Sequence, residues 1–145
     1  MNLFDVNILI YAHREDQTHH PFFRNRLESF IAGGAPFGLT PLVAGGFIRI
    51  VTHPSFPNGP TPLPQALAVI DSLASHTNAH WIHPGRRHWE LLGHLCRATQ
   101  ATGKRVADAQ HAAIAIEHAA NWISRDSDFE RFTGHGLVWT PWIPT

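Results

Sequence analysis

Four carboxylates stand out by where they fall. Asp5 follows the first short apolar run, Asp108 opens an alanine-rich stretch, and Asp126 and Asp128 lie just beyond the apolar run Asn121-Trp-Ile-Ser124. An aspartate in such a place often serves only to cap a helix, because its oxygen accepts orphan backbone N–H groups. Three at one edge of one sheet ask for more. Clustered carboxylates repel each other unless a cation sits among them, and hard oxygen ligands favour Mg²⁺ or Mn²⁺. A divalent ion held by carboxylates suits phosphoryl chemistry, since it polarises a phosphate and activates water.

The elements that must position these acids are legible in outline. Asn2 to Phe4 reads as a buried strand ending at Asp5, which then caps a helix starting near Val6. Thr18 to Ile31 has the apolar spacing of an amphipathic helix, and Gly33-Gly34 ends it. Phe37-Gly-Leu39 predicts a short strand, with Thr40-Pro41 as cap and first residue of a helix that runs to His53-Pro54. Five prolines between Pro54 and Pro64 predict a stiff loop. A helix around Leu67 to Leu73, a strand at His80-Trp-Ile82 and a helix from Arg86 to Thr99 follow. Gly103 breaks the chain before a helix over Val106 to Ala120. Then come the Asn121 to Ser124 strand, a loop with Asp126 and Asp128, and a last strand around Leu137-Val-Trp139. Strands alternating with helices need crossovers, and crossovers make parallel sheets covered on both faces. The expected fold is a three-layer α/β/α sandwich with a short, mainly parallel sheet of four or five strands, as one domain over residues 1–145. Ligands in such folds bind beyond the carboxyl ends of the strands, where the acids are placed.

Composition sets further bounds. The 145 residues carry 11 Lys+Arg against 11 Asp+Glu, with 12 His and a single cysteine, Cys96. One cysteine excludes a disulfide framework and a multi-thiolate zinc site. The N-terminal run lacks a basic leader, and the uncharged window Ile31 to Ile48 is broken by five glycines and two prolines, so neither a signal peptide nor a membrane span is expected. A soluble, cytoplasmic protein with no membrane association is the expectation. A formal charge of zero argues against a strongly basic groove. However, assigning the four aspartates to a cation site leaves seven acids facing eleven bases elsewhere.

The chain resembles the PIN-domain ribonucleases, specifically the VapC-type toxins of prokaryotic toxin–antitoxin pairs. The blocks that carry the resemblance are Leu3-Phe-Asp-Val-Asn-Ile-Leu-Ile10, Phe47-Ile-Arg-Ile-Val-Thr-His-Pro54, Val106-Ala-Asp-Ala-Gln-His-Ala-Ala-Ile-Ala-Ile-Glu-His118 and Ile123-Ser-Arg-Asp-Ser-Asp-Phe129. Each block is weak alone; their order and spacing are specific. The resemblance implies Asp5 and Asp108 as principal metal ligands, Asp126 completing the acidic site and Asp128 auxiliary. It implies Mg²⁺-dependent hydrolysis of RNA (tRNA, rRNA or mRNA) leaving a 5′-phosphate and a 3′-hydroxyl, with Mn²⁺ as the alternative ion. It also implies a homodimer and a small cognate VapB-like antitoxin that inhibits the enzyme in a prokaryotic cytoplasm. There is one departure: many PIN nucleases carry a glutamate where this chain has Gly46. Glu90 is a candidate substitute, weighed against a plain solvated helix position.

Phosphate binding needs cations, and ten of the eleven basic residues are arginine, with Lys104 the sole lysine. Arg49, Lys104, Arg105 and Arg125 are the candidates to border the site, because arginine makes bidentate phosphate contacts. His76, His80 and His83 form an H-x3-H-x2-H cluster, with His19-His20 and His111/His118 as further pairs. Structural or surface roles are expected for them, since the cluster spans a helix-to-strand change and its rings diverge. Trp81, Trp89, Trp122, Trp139 and Trp142 serve either as base-stacking platforms or as packing anchors. Two rival functions remain at this level. A haloacid-dehalogenase-type phosphatase shares the opening strand and acidic motif, but needs Asp-x-Asp where this chain has Asp5-Val-Asn7. A catalytically weak PIN-like RNA- or protein-binding module is motivated by Gly46.

Overall fold

A computed structural model describes all residues, Met1–Thr145. Strand β1 spans Asn2–Phe4, and helix α1 follows at Val6–His13. Then come α2 (His20–Ala32), β2 (Phe37–Leu39), α3 (Pro41–Val51) and α4 (Leu63–Ala74). The second half holds β3 (Ala79–Trp81), α5 (His88–Thr99), α6 (Lys104–Glu117), β4 (Asn121–Ser124), a 3₁₀ segment (Ser127–His135) and β5 (Val138–Pro141).

The five strands form one sheet in the order β3-β2-β1-β4-β5, and every adjacent pair is parallel. The expected α/β/α sandwich is thus the one observed, with five strands. β1 is central, and its pairing with β4 sets Leu3 opposite Trp122 and Phe4 opposite Ile123. This register carries Asp5 and Ser124 to the same carboxyl edge although 119 positions separate them. Strands this short need burial on both faces to persist. Leu3, Phe4, Phe37, Leu39, Trp122 and Ile123 are all almost fully buried, in one cluster with Phe23, Phe47, Phe129 and Phe132. No helix of the chain is long and apolar enough to cross a membrane.

Local chemistry explains the boundaries. Thr40 accepts from the Val43 amide at 3.0 Å and Pro41 takes the first helical position of α3, as expected. At α6 the expectation needs correction. The helix starts at Lys104 rather than Val106, because Gly103 takes φ 58°, ψ −129°, a conformation open only to glycine, and the helix begins on its far side. Lys104 and Arg105 therefore belong to the first turn, and Asp108 is the fifth helical residue, where it caps nothing. α5 begins at His88 rather than Arg86, since the Gly85 and Arg87 amides donate to the Glu117 carboxylate and hold the chain in a turn. α2 begins at His20, after His19 in the left-handed region. β3 and β5 are each displaced by a residue or more, β3 to Ala79–Trp81 and β5 to Val138–Pro141. The expected loop after Asp126 is the nine-residue 3₁₀ segment, which buries Phe129 and Phe132.

Candidate active site

Asp5 leaves β1 with extended backbone and caps α1. Its Oδ1 accepts the Val6 amide at 2.6 Å, and its own amide donates to the Ile123 carbonyl at 2.8 Å. Its other oxygen, Oδ2, accepts from the Ser124 hydroxyl at 2.5 Å. Ser124, fully buried at the end of β4, also accepts from the Asp126 amide at 2.9 Å and from Asn7 Nδ2 at 3.3 Å. Asn7 closes the ring by accepting the Arg125 amide on its Oδ1 at 3.4 Å. One hydroxyl therefore ties the first and third candidate acids together. Sequence reasoning gave Ser124 no role and weighed Asn7 only as the residue that disqualifies a phosphatase. The available signal was the polar pair Ser124-x-Asp126 ending an otherwise apolar strand.

Asp126 caps the 3₁₀ segment, its Oδ1 accepting the Asp128 amide at 2.9 Å, while its Oδ2 faces Lys104 Nζ at 3.4 Å. Asp5 and Asp126 thus do cap, as the plainer reading required. Asp108 differs. It projects from the second turn of α6, is only 8% exposed, and its Oδ2 is buried without any hydrogen-bond partner. A buried carboxylate oxygen without a partner costs free energy unless something else supplies positive charge. Lys104 Nζ stands 3.9 Å away, near enough to attract but too far to hydrogen-bond.

Electrostatics show the acids sensing one another. Burial pushes the Asp5 carboxyl up to about 6, against the hydrogen bonds from Ser124 and Val6, and the fields of Asp108 and Asp126 push the same way. Asp108 is raised by burial, pulled back by Lys104, and raised again by Asp126 and Asp128. Lys104 is held above its ordinary value, chiefly by Asp108. Asp128 is exposed and pairs with Arg131 at 3.5 Å.

No three His, Cys, Asp or Glu side chains form a ready metal cage. The donor set nevertheless fits a hard cation. It consists of carboxylate oxygens within each other's fields, one of them buried and unpartnered, and Mg²⁺ binds through one or two carboxylates while keeping several waters. Gly46 adds no oxygen, and a Cβ there would lie 3.1 Å from Val6 Cγ2, so α3 packs closely on α1 at this point. Glu90 is exposed in the first turn of α5 and makes no ion pair or side-chain hydrogen bond, as a solvated helix residue would.

Of the four candidate phosphate ligands, the structure brings Lys104 among the acids. The Arg125 guanidinium is turned over the Tyr11 ring at 4.9 Å and Phe23 at 5.8 Å. Arg105 and Arg49 are exposed and unpaired; Arg49 lines a small cavity with His53 and Phe56. The histidines have separate duties. His20 Nδ1 donates to the Tyr11 carbonyl at 2.7 Å, His118 Nε2 donates to the His83 carbonyl at 2.8 Å, and His111 stacks on Trp122 at 5.1 Å. His76 and His80 are exposed. Trp122 and Trp142 are core, and Trp139 donates to the Ser124 carbonyl, whereas Trp89 is 79% and Trp81 46% exposed. A cavity of about 660 Å³ lies between α1, α2 and α4 and is lined by none of the four aspartates.

Comparison with known proteins places this geometry. Residues 3–134 match the PIN domain family. The chain is 40% identical over 128 residues to ribonuclease VapC43 of Mycobacterium tuberculosis, covering 88% of this chain and 87% of that one. It is 36% identical over 132 residues to ribonuclease VapC25 of the same organism, covering 91% and 93%. Among solved structures, VapBC2 from Rickettsia felis, bound to a DNA fragment from its promoter, superposes with a TM-score of 0.71 at 18% identity, covering 98% of each chain. VapC20 of M. tuberculosis, a Sarcin-Ricin loop cleaving toxin, gives 0.64 at 15% identity, covering 95% and 97%. The acid-lined sheet edge, the fold and the relatives agree: the chain belongs to the PIN-domain family, among the VapC ribonucleases that hydrolyse phosphodiester bonds.

Proposed function

We propose that this chain is the toxin of a toxin–antitoxin pair, a single-domain endoribonuclease whose Asp5, Asp108 and Asp126 hold Mg²⁺, or Mn²⁺ in its place. The observation that carries the reading is the buried, unpartnered oxygen of Asp108 in the field of two further carboxylates. When bound, the ion polarises the scissile phosphate and lowers the pKa of a water. Asp5 and Asp108 are the principal ligands. Asp126 orients the attacking water, and Asp128 at the rim is auxiliary. Ser124 holds Asp5 in its rotamer through the short hydrogen bond and, through the Asp126 amide, fixes the distance between the two carboxylates. In-line attack then leaves a 5′-phosphate and a 3′-hydroxyl on the RNA. Arg49, Arg105 and Arg125 remain the candidates for steering the RNA backbone.

The partner we propose is a VapB-like antitoxin that blocks the site, with the toxin as a homodimer. Solved structures of similar fold include a member of the VapBC family of toxin–antitoxin systems, which supports the pairing. Family membership displaces the phosphatase alternative. The weak-module alternative keeps one observation in its favour, the missing carboxylate at Gly46. Incubating purified wild-type and Asp108→Asn proteins with total RNA and Mg²⁺ separates the two. Cleavage by the wild type alone supports the nuclease, and RNA binding without turnover by either protein supports the module. Growth arrest on induction, relieved by co-expression of the neighbouring antitoxin gene, tests the pairing.

A further inference from the structure

We propose that Lys104 is a built-in counter-cation of the carboxylate site, its ammonium standing between Asp108 and Asp126 and leaving when the metal binds, so that this residue sets the metal affinity. The inference rests on the reading of these acids as a metal site. Three observations carry it. Lys104 Nζ lies 3.4 Å from Asp126 Oδ2 and 3.9 Å from Asp108 Oδ2, so one charge is shared by two carboxylates. Asp108 Oδ2 stays buried without a hydrogen bond, so the ammonium neutralises that oxygen without occupying its coordination position. The Lys104 side chain is 74% exposed, which lets it swing into solvent without breaking any packing.

Two other cations near the acids are engaged elsewhere, and Arg105 makes no ion pair with any of them. Arg131 pairs with Asp128, and Arg125 stacks on Tyr11 and Phe23. The position of Lys104 follows from the helix start: only because α6 begins right after Gly103 are residues 104 and 108 on one helical face, four apart. A divalent ion at Asp108 and an ammonium within 4 Å of the same oxygen repel each other, so binding of one expels the other. The displaced ammonium remains tethered at the rim, where an incoming phosphate meets it. Lys104 therefore acts on affinity when the metal is absent and becomes a phosphate contact when it is present.

Titration calorimetry with Mn²⁺ on the metal-free protein tests this without reference to activity. Lys104→Gln removes the competing charge, and its Mn²⁺ affinity rises roughly two- to fivefold, while Lys104→Arg stays near the wild type. The metal-free Lys104→Gln protein also melts at a lower temperature than the wild type, because Asp108 and Asp126 lose their shared counter-charge. Equal or weaker Mn²⁺ binding by Lys104→Gln overturns the inference and leaves the metal site standing. If wild type and Asp108→Asn bind Mn²⁺ alike, the metal-site reading itself fails, and the inference fails with it.

Discussion

Replacing Asp5 by Asn abolishes cleavage while making the metal-free protein more stable. Asp5 is only 7% exposed, and burial holds its carboxyl at about 6 against an ordinary 3.8. A folded-state pKa above the unfolded value means that the native protein binds the proton more tightly than the unfolded chain. Ionisation therefore costs stability, beginning as pH rises past about 4 and complete above about 6. A shift of about two units corresponds to a cost of about 3 kcal/mol at neutral pH. Asn keeps the cap, because its Oδ1 still accepts the Val6 amide, but the Ser124 oxygen already accepts from Asp126 and Asn7, so the new Nδ2 donates to it only by displacing the 3.3 Å bond from Asn7. Rearranging that one hydrogen bond returns about 1 kcal/mol. The net gain is about 2 kcal/mol at pH 8, a rise in Tm of roughly 4–8 °C for a domain of this size, vanishing near about pH 4.5 and turning into a loss of up to about 1 kcal/mol at lower pH, where only the hydrogen-bond cost remains. Urea denaturation in the presence of chelator at pH 4 and pH 8 measures it. Saturating Mg²⁺ then reverses the order, since the ion stabilises the wild type and gives little to Asp5→Asn. An Asp5→Asn protein less stable than wild type at pH 8 without metal would refute the claim that Asp5 carries buried, uncompensated charge.

Further predictions follow from neighbouring residues. Ser124→Ala removes a charge-assisted bond from Asp5, so the Asp5 carboxyl rises further, activity falls, and the acid limb of the pH–rate profile moves to higher pH; an unchanged profile counts against Ser124 as the positioning residue. Burial lowers His111 from 6.5 to about 4, so it is neutral in the fold and must be protonated on acid unfolding. Its contribution is complete above about 6.5 and is lost as pH falls towards 4, by at most about 3 kcal/mol. Chemical denaturation of His111→Gln across that range shows a flatter pH dependence than the wild type. Gly103→Ala places a side chain at φ 58°, ψ −129°, and costs about 1–3 kcal/mol by thermal melting.

Much of the architecture is legible residue by residue because it depends on short-range chemistry. The cap at Asp5, the Thr40-Pro41 start of α3 and the short strands β1 and β2 each act within a few positions and lie where expected, whereas the expected proline loop ends earlier, because α4 starts at Leu63 and takes Pro64 into its first turn. The errors cluster where a distant partner decides a boundary. Glu117 shortens α5 by taking two amides some thirty residues away, and burial of Phe129 and Phe132 turns an expected loop into a 3₁₀ segment. At α6 the boundary is local: Gly103 starts the helix at Lys104, two residues ahead of the Ala-rich run.

The sequence by itself determined the acids, their order along the chain and the family they belong to, because an ordered set of short blocks is a one-dimensional property. Only the tertiary structure decided how these acids are wired. The parallel pairing of β1 with β4 brings the Ser124 hydroxyl to Asp5, and the helix beginning at Lys104 sets one ammonium between Asp108 and Asp126. Hydrogen bonds and ion pairs act over a few ångströms, whereas these partners are separated by up to 119 positions of chain. Distances of that kind come into being only when the sheet closes.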